Sequence, residues 1–431
     1  MSLELMAIIL LGGLLLLLAL GTEIFVAMAI VGGLGLWLFV GQGPQQFART
    51  AFLFMNSFVL TAMPLFIFMG SIFASTGIAR HLFTGADKIL GGLPGGVACS
   101  VIGAAGIFGA ISGSTVASAA TFGKLAYPDM ERLGYDPKLA LGSIAIGGTL
   151  AVLIPPSIIL IVYGFWERVS VAKLFAGAIV PGIILVSLLM LTVIVQVKLN
   201  PSLAPSPPKI TWRERLSAVK DITPFAIVIV LVLGVIFTGI MTPTEAASLG
   251  AFGSIILALA YRRMTFAALK ESMWSTAKIT AMIAFVIFTA KVLGILFAHI
   301  GLTGTFAAFM AELPFGRYGI WAIVCVMYLF LGMFFDTISM LLLTLPFVSP
   351  LIADLGFNPI WFGVTYVVLG EIGIVTPPFG LNLFVLKGVV PKHDIMVIAL
   401  GALPFIIPTL LMVVILTAFP ELVLWLPRLI Y

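Results

Sequence analysis

Apolar residues fill the chain in long blocks, separated by short polar or Gly/Pro-rich turns. That pattern predicts helices crossing a lipid bilayer. A crossing needs about 20 apolar residues. Ten stretches meet it, to within a few residues at each end: 3–20, 24–40, 51–75, 138–165, 173–198, 222–240, 244–261, 275–298, 359–388 and 395–420. Two further apolar stretches, 94–127 and 319–353, are broken at the middle by Ser112-Gly113-Ser114 and by Asp336-Thr337-Ile338-Ser339. Each half has about 15 residues, too few to cross. They read as re-entrant hairpins, which are tolerated at membrane depth only inside protein or beside water. Segments 78–90 and 264–274 read as amphipathic interfacial helices. The stretch 201–221 (Pro201, Pro205, Pro207 and Pro208, then Lys209, Arg213, Glu214, Arg215 and Lys220) reads as a polar linker with an amphipathic end at 211–221.

Composition agrees with that pattern. The chain has 431 residues, 61% of them hydrophobic and 9% charged, against roughly 25% charged in soluble domains. A soluble enzyme, a nucleic-acid binder and a disordered scaffold are excluded. The net charge of +5 is topology information. When ten spans and two hairpins are threaded, most basic residues, including those of the linker, fall on one side. The positive-inside rule then predicts a cytoplasmic linker and both termini outside. The first Lys or Arg is Arg49, so the opening apolar stretch is expected to be a retained span, not a cleaved signal. Cys99 and Cys325, and His81, His299 and His393, are too scattered to suggest a disulfide framework or a zinc site. The glycine-rich run 91–96 lacks the Lys-Ser/Thr ending of a phosphate loop, and no hydrolase motif is present. Glu23 and Glu245 read as helix-cap residues.

A shift of 222 residues superposes the chain on itself. Gly12 meets Gly234, Thr22-Glu23 meets Thr244-Glu245, Gly134-Tyr-Asp-Pro137 meets Gly356-Phe-Asn-Pro359, and Pro155-Pro156 meets Pro377-Pro378. Residues 1–200 and 222–431 are therefore expected to be two copies of one unit. Each has five spans and one hairpin (94–127, 319–353), followed by a broken helix (138–165, 359–388). Five is odd, so the second copy must be inverted. Inverted repeats with broken helices and midplane binding characterise secondary transporters.

The diproline pairs leave helical carbonyls four residues back without a donor, those of Ala151 and Val152 and of Gly373 and Ile374. Nearby Gly147, Gly148 and Gly370 loosen the backbone. Stranded oxygens at membrane depth are costly, and hard alkali cations take such ligands, by the logic that governs calcium and magnesium. Two pseudo-symmetric sodium sites are expected. One joins Ser112 and Ser114 to carbonyls around Gly147–Pro155, and the other joins Asp336, Thr337 and Ser339 to Gly370, Gly373 and Thr376. Proton coupling through Asp336 or Glu371 is the alternative. The second half-helices start near Thr115, Ser157, Thr337 and Phe379, and helix N-termini attract anions. A small organic anion is the expected substrate, held by Ser157, Thr376 and Asn382.

Several runs resemble the large membrane subunit of tripartite ATP-independent periplasmic (TRAP) transporters: Met63-Pro-Leu-Phe-Ile-Phe-Met-Gly70, Phe108-Gly-Ala-Ile-Ser-Gly-Ser-Thr-Val-Ala-Ser118, Ile154-Pro-Pro-Ser157, Pro243-Thr-Glu-Ala-Ala247 and Gly370-Glu-Ile-Gly-Ile-Val-Thr-Pro-Pro-Phe-Gly-Leu-Asn382. The resemblance runs nearly end to end. It implies an all-α, elevator-type permease in a bacterial inner membrane, taking up carboxylates such as C4-dicarboxylates, sialic acids or keto and sugar acids. It also implies a sodium gradient as driving force, a separate small four-helix membrane subunit and a periplasmic substrate-binding protein. A stand-alone carboxylate symporter of a related hairpin family and an anion channel of the same symmetry are the other readings.

Overall fold

The computed structural model describes residues 2–431, and their regular structure is entirely helical, with twenty α-helices. Six helices are long and apolar enough to cross a membrane: Val171–Leu199, Trp212–Phe237, Pro243–Ala260, Phe266–His299, Thr337–Asp354 and Ile395–Ala418. A seventh span is added if Gly43–Phe54 and Val59–Ser75 count as one.

This is fewer than the ten spans expected, for local reasons. The first apolar stretch becomes a helix of 17 residues, Leu3–Ala19. The second is Ile24–Gly35 with a five-residue π-helical turn, Leu36–Val40, ended by Gly41 in the left-handed region. Stretches 138–165 and 359–388 are each interrupted by their prolines, into Pro137–Thr149 and Ile158–Glu167, and into Pro359–Gly373 and Leu381–Val389. Conversely, 264–274 is not a separate interfacial helix. It is the start of one 34-residue helix, Phe266–His299, because no Gly or Pro occurs between Phe266 and Leu293. The linker's charged end likewise runs straight into Trp212–Phe237, started by a capping box in which the Thr211 side chain and Glu214 satisfy each other's backbone N–H. Glu245 makes the same box with Thr242, and Glu23 occupies an N-cap position without a side-chain cap bond.

Contacts divide the chain into two compact units. One comprises 1–58, 278–327 and 338–359. In it small residues let helices close up: a Cβ on Gly32 would press on Val292 and the Leu293 backbone, and Phe47 stacks edge-on against Phe288. The other comprises 59–277, 328–337 and 360–431. Its interior is aromatic, with Phe73, Phe108, Phe122, Tyr163, Trp361 and Tyr366 among the largest fully buried side chains. The Trp361 indole N–H donates to the Leu416 carbonyl at 2.7 Å, so this large side chain is buried without a polar deficit. On outward faces, Ile183, Leu191, Ile227 and Val230 are largely exposed, as lipid-facing residues of a membrane protein are.

Candidate functional site

The first polar interruption forms a sharp tip. Gly96–Ser112 ends on Gly113, whose φ of +58° suits a glycine, and Thr115–Arg132 starts immediately after, capped by Ser114, whose Oγ accepts from the Ala117 N–H at 3.3 Å. The tip is held by backbone-close packing. A Cβ on Gly70 would overlap Ser112 Cα, and one on Gly109 would overlap Ala151. The arm of the hairpin therefore lies directly on the break of the neighbouring helix. The tip also meets the far half-helix, where a Cβ on Gly113 would come within 3.0 Å of the Ile158 side chain. Gly148 faces Ala119 and Gly147 faces Ala105 in the same way. The two arms of the hairpin thus pack on the first broken helix at Gly147, Gly148 and Ala151, with Ser112 and Ser114 at the tip between the arms.

At that break Pro137–Thr149 tightens into the 3-10 turn Leu150–Val152, and Ser157 caps the helix Ile158–Glu167. The Pro155-Pro156 and Pro377-Pro378 peptide bonds are both cis. The carbonyls expected to be stranded are not all so. Ser157 Oγ donates to the Val152 carbonyl. In the second broken helix the Gly373 carbonyl accepts from the Thr376 N–H at 3.0 Å and the Ile374 carbonyl from the Asn382 N–H at 3.1 Å. The chain after each break folds back and supplies donors. A carbonyl has a second lone pair, so these oxygens remain able to ligate, but they are not without partners.

The polar deficit lies instead on side chains. Among the described residues, Ser112 Oγ, Ser118 Oγ, Glu371 Oε2 and Asn382 Oδ1 are buried with no hydrogen-bond partner. Ser118 lies one turn beyond Ser114 on the same helix face and was not among the expected site residues. The one signal for it was its place at the end of the Phe108–Ser118 run. Asn382 is fully buried, and its Nδ2 donates to the Ala145 carbonyl of Pro137–Thr149 at 3.3 Å. It therefore joins the two broken helices. Ser157 and Thr376, expected with Asn382 at the substrate, spend their hydroxyls locally, on the Val152 and Ile372 carbonyls.

At the second interruption, Gly316–Gly332 and Thr337–Asp354 flank the link 333–336. The second arm has 18 residues, longer than expected. Gly332 and Gly373 meet backbone to backbone, with no room for a Cβ on either. Thr337 is tied twice to Pro359–Gly373: its Oγ1 donates to Glu371 Oε1 at 2.9 Å, and its carbonyl accepts from the Tyr366 hydroxyl at 2.6 Å. The Asp336 carboxylate is close enough to act on Glu371 electrostatically. Gly370 is buried on the same helix, and Ser339 is buried two residues beyond Thr337.

A family model for the tripartite ATP-independent periplasmic transporter, DctM component, matches residues 11–422. The chain belongs to this family. It is a multi-pass transporter permease and not an enzyme. The C4-dicarboxylate TRAP transporter large permease protein DctM of Pseudomonas aeruginosa is 33% identical over 407 residues, covering 93% of this chain and 94% of that one. The 2,3-diketo-L-gulonate TRAP transporter large permease protein YiaN of Escherichia coli is 32% identical over 419 residues, 96% of each. Among solved structures, the Alcanivorax borkumensis YdaH transporter shares the fold with a TM-score of 0.53 at 14% identity, over 86% of this chain and 89% of that one.

Proposed function

We propose that this TRAP large permease imports small organic anions, carboxylates of the C4-dicarboxylate or keto- and sugar-acid kind, driven by a sodium gradient through elevator-type alternating access between two inverted repeats. The relatives named for C4-dicarboxylate and for diketo-L-gulonate share a carboxylate as the recognised group. The observation that carries the cation reading is the set of buried side-chain oxygens without partners at the two breaks. Oxygen donors of this kind suit a hard monovalent cation. In this reading Ser112 and Ser114 with the carbonyls of Gly147, Gly148, Ala151 and Val152 hold one Na+. Asp336, Thr337 and Ser339 with Gly370, Gly373 and Thr376 hold the other. Asn382, with Ser157 and Thr376 near the half-helix N-termini, meets the substrate carboxylate, where the helix dipoles favour negative charge.

The family implies two partners, a small four-helix membrane subunit and a periplasmic substrate-binding protein that delivers the acid. The permease lies in a bacterial inner membrane with both termini periplasmic. The test is uptake of candidate acids into proteoliposomes containing both membrane subunits, with the binding protein supplied. Uptake is expected only with an inward Na+ gradient and only with the binding protein. Uptake that persists in K+ alone overturns the coupling, and uptake without the soluble protein favours a stand-alone symporter.

A further inference from the structure

Glu371 sits in the last turn of Pro359–Gly373, is 2% exposed, and has one carboxylate oxygen committed and one not. Oε1 accepts from Thr337 Oγ1, while Oε2 has no partner among the described residues. A buried carboxylate normally acquires several partners or a countercharge. Here the nearby charge acting on it is another carboxylate, Asp336. Tyr366, from the same helix, spends its hydroxyl on the Thr337 carbonyl and is not available to Oε2. At the equivalent place in the first repeat, 222 residues earlier, stands Thr149, whose hydroxyl is used by the Ile146 carbonyl at 2.7 Å.

We propose that Glu371 is a direct ligand of the second cation site, binding through Oε2, so that this site is walled by carboxylate while the first is built from neutral oxygens. The inference rests on the sodium reading above and deepens it. A cation at Oε2 relieves the burial cost of the carboxylate and the repulsion from Asp336 together. The charged site then holds its ion more tightly than the neutral one and sets the lower Na+ half-saturation.

The test is thermal unfolding of the purified permease in detergent against NaCl, with choline chloride holding ionic strength. Na+ is expected to raise the wild-type Tm. Glu371→Gln keeps the shape and an oxygen for Thr337, and is expected to raise the Na+ half-saturation about tenfold, the loss of one charge-assisted ligand. Thr337→Val separates ligation from positioning. If Glu371 only held Thr337, Glu371→Gln would leave the Na+ response at the wild-type value while Thr337→Val removed it, and that result overturns the proposal. Should Glu371→Gln fail to fold, Glu371→Asp keeps the charge and shortens its reach, and a wild-type half-saturation in that variant also overturns it. A wild-type protein with no Na+ response at all sinks the sodium reading instead, so the two failures are distinct.

Discussion

Ser112 ends its helix with a hydroxyl that meets no hydrogen-bond partner among the described residues, although the residue is only 5% exposed. Removing such a group has two opposite consequences. Without ligand, Ser112→Ala discards an unsatisfied polar atom, so stability should stay level or rise slightly. With Na+, the same variant should lose part of the ion's stabilising effect. Melting curves in choline and in sodium give the two signs separately, and a uniform drop in both would make Ser112 a packing residue. Gly70 and Gly109 offer a contrast at the same tip. Alanine at either would collide with backbone of Ser112 or of Ala151. Each substitution should cost about 1–3 kcal/mol and reduce uptake. Alanine at Gly304 or Gly388, where nothing lies within 4 Å, should change the melting temperature little. The proline-freed carbonyls were legible in the sequence because the rule is local. Their new donors were not, because Ser157 reaches Val152 only through the particular path of the chain across the break. Asn382 meets Ala145 only through contact between helices 237 residues apart.

Helices were easiest to read where a long, nearly uncharged apolar run decided the matter, as in Val171–Leu199 and Ile395–Ala418, which continue through Pro181 and through Pro404 and Pro408. They were hardest to read where polarity suggested an end that the backbone did not take. Lys270 and Glu271 lie in the segment 264–274 that reads as interfacial in the sequence, yet helix-forming residues carry Phe266–His299 through them unbroken. At about 1.5 Å per residue that helix outruns a hydrocarbon core of about 30 Å, so its charged first turns reach the interface without a separate element. The two diproline breaks act in the reverse sense. Replacing Pro155 and Pro156 with alanine restores two N–H donors and removes the obstacle to helix, a difference of about 3 kcal/mol per position in helix propensity. The half-helices are expected to fuse, with the fold retained and Na+-dependent stabilisation and uptake lost. Unchanged uptake would remove the break from the mechanism. The base of the first hairpin supplies a pH test. Lys392 hydrogen-bonds Glu131 and holds its carboxyl below the usual range. A group whose folded pKa is lowered contributes stability above its unfolded pKa and loses it as pH falls through the folded value. Glu131→Gln should therefore lower the melting temperature at neutral pH by a small amount, small because the pair is exposed, and meet the wild-type curve below the ordinary carboxylate range, so that its acid limb is flatter by that same amount.

For the molecule as a whole, the decisive quantity is where its few charges fall. Only 9% of residues are charged, and the linker concentrates Lys209, Arg213, Arg215 and Lys220 within a dozen positions. Arg262 and Arg263 form the turn before Phe266–His299, and Lys88 pairs with Asp221 at 2.7 Å near the start of Trp212–Phe237. A short basic loop is expensive to translocate and holds its side of the membrane in the cytoplasm. The proposed topology, with an even number of crossings in all, would put Ser2 and Tyr431 together on the outer face. Both Ser2 and Ser206 are exposed, so each can be converted to cysteine after Cys99 and Cys325 are replaced by alanine. A membrane-impermeant maleimide added to spheroplasts should label Ser2→Cys and leave Ser206→Cys untouched until the cells are lysed. The reverse pattern would invert the molecule. Labelling of both in intact cells would mean an even number of crossings between them, and the five-span count of the first repeat, with the inversion of the second copy that follows from it, would fail.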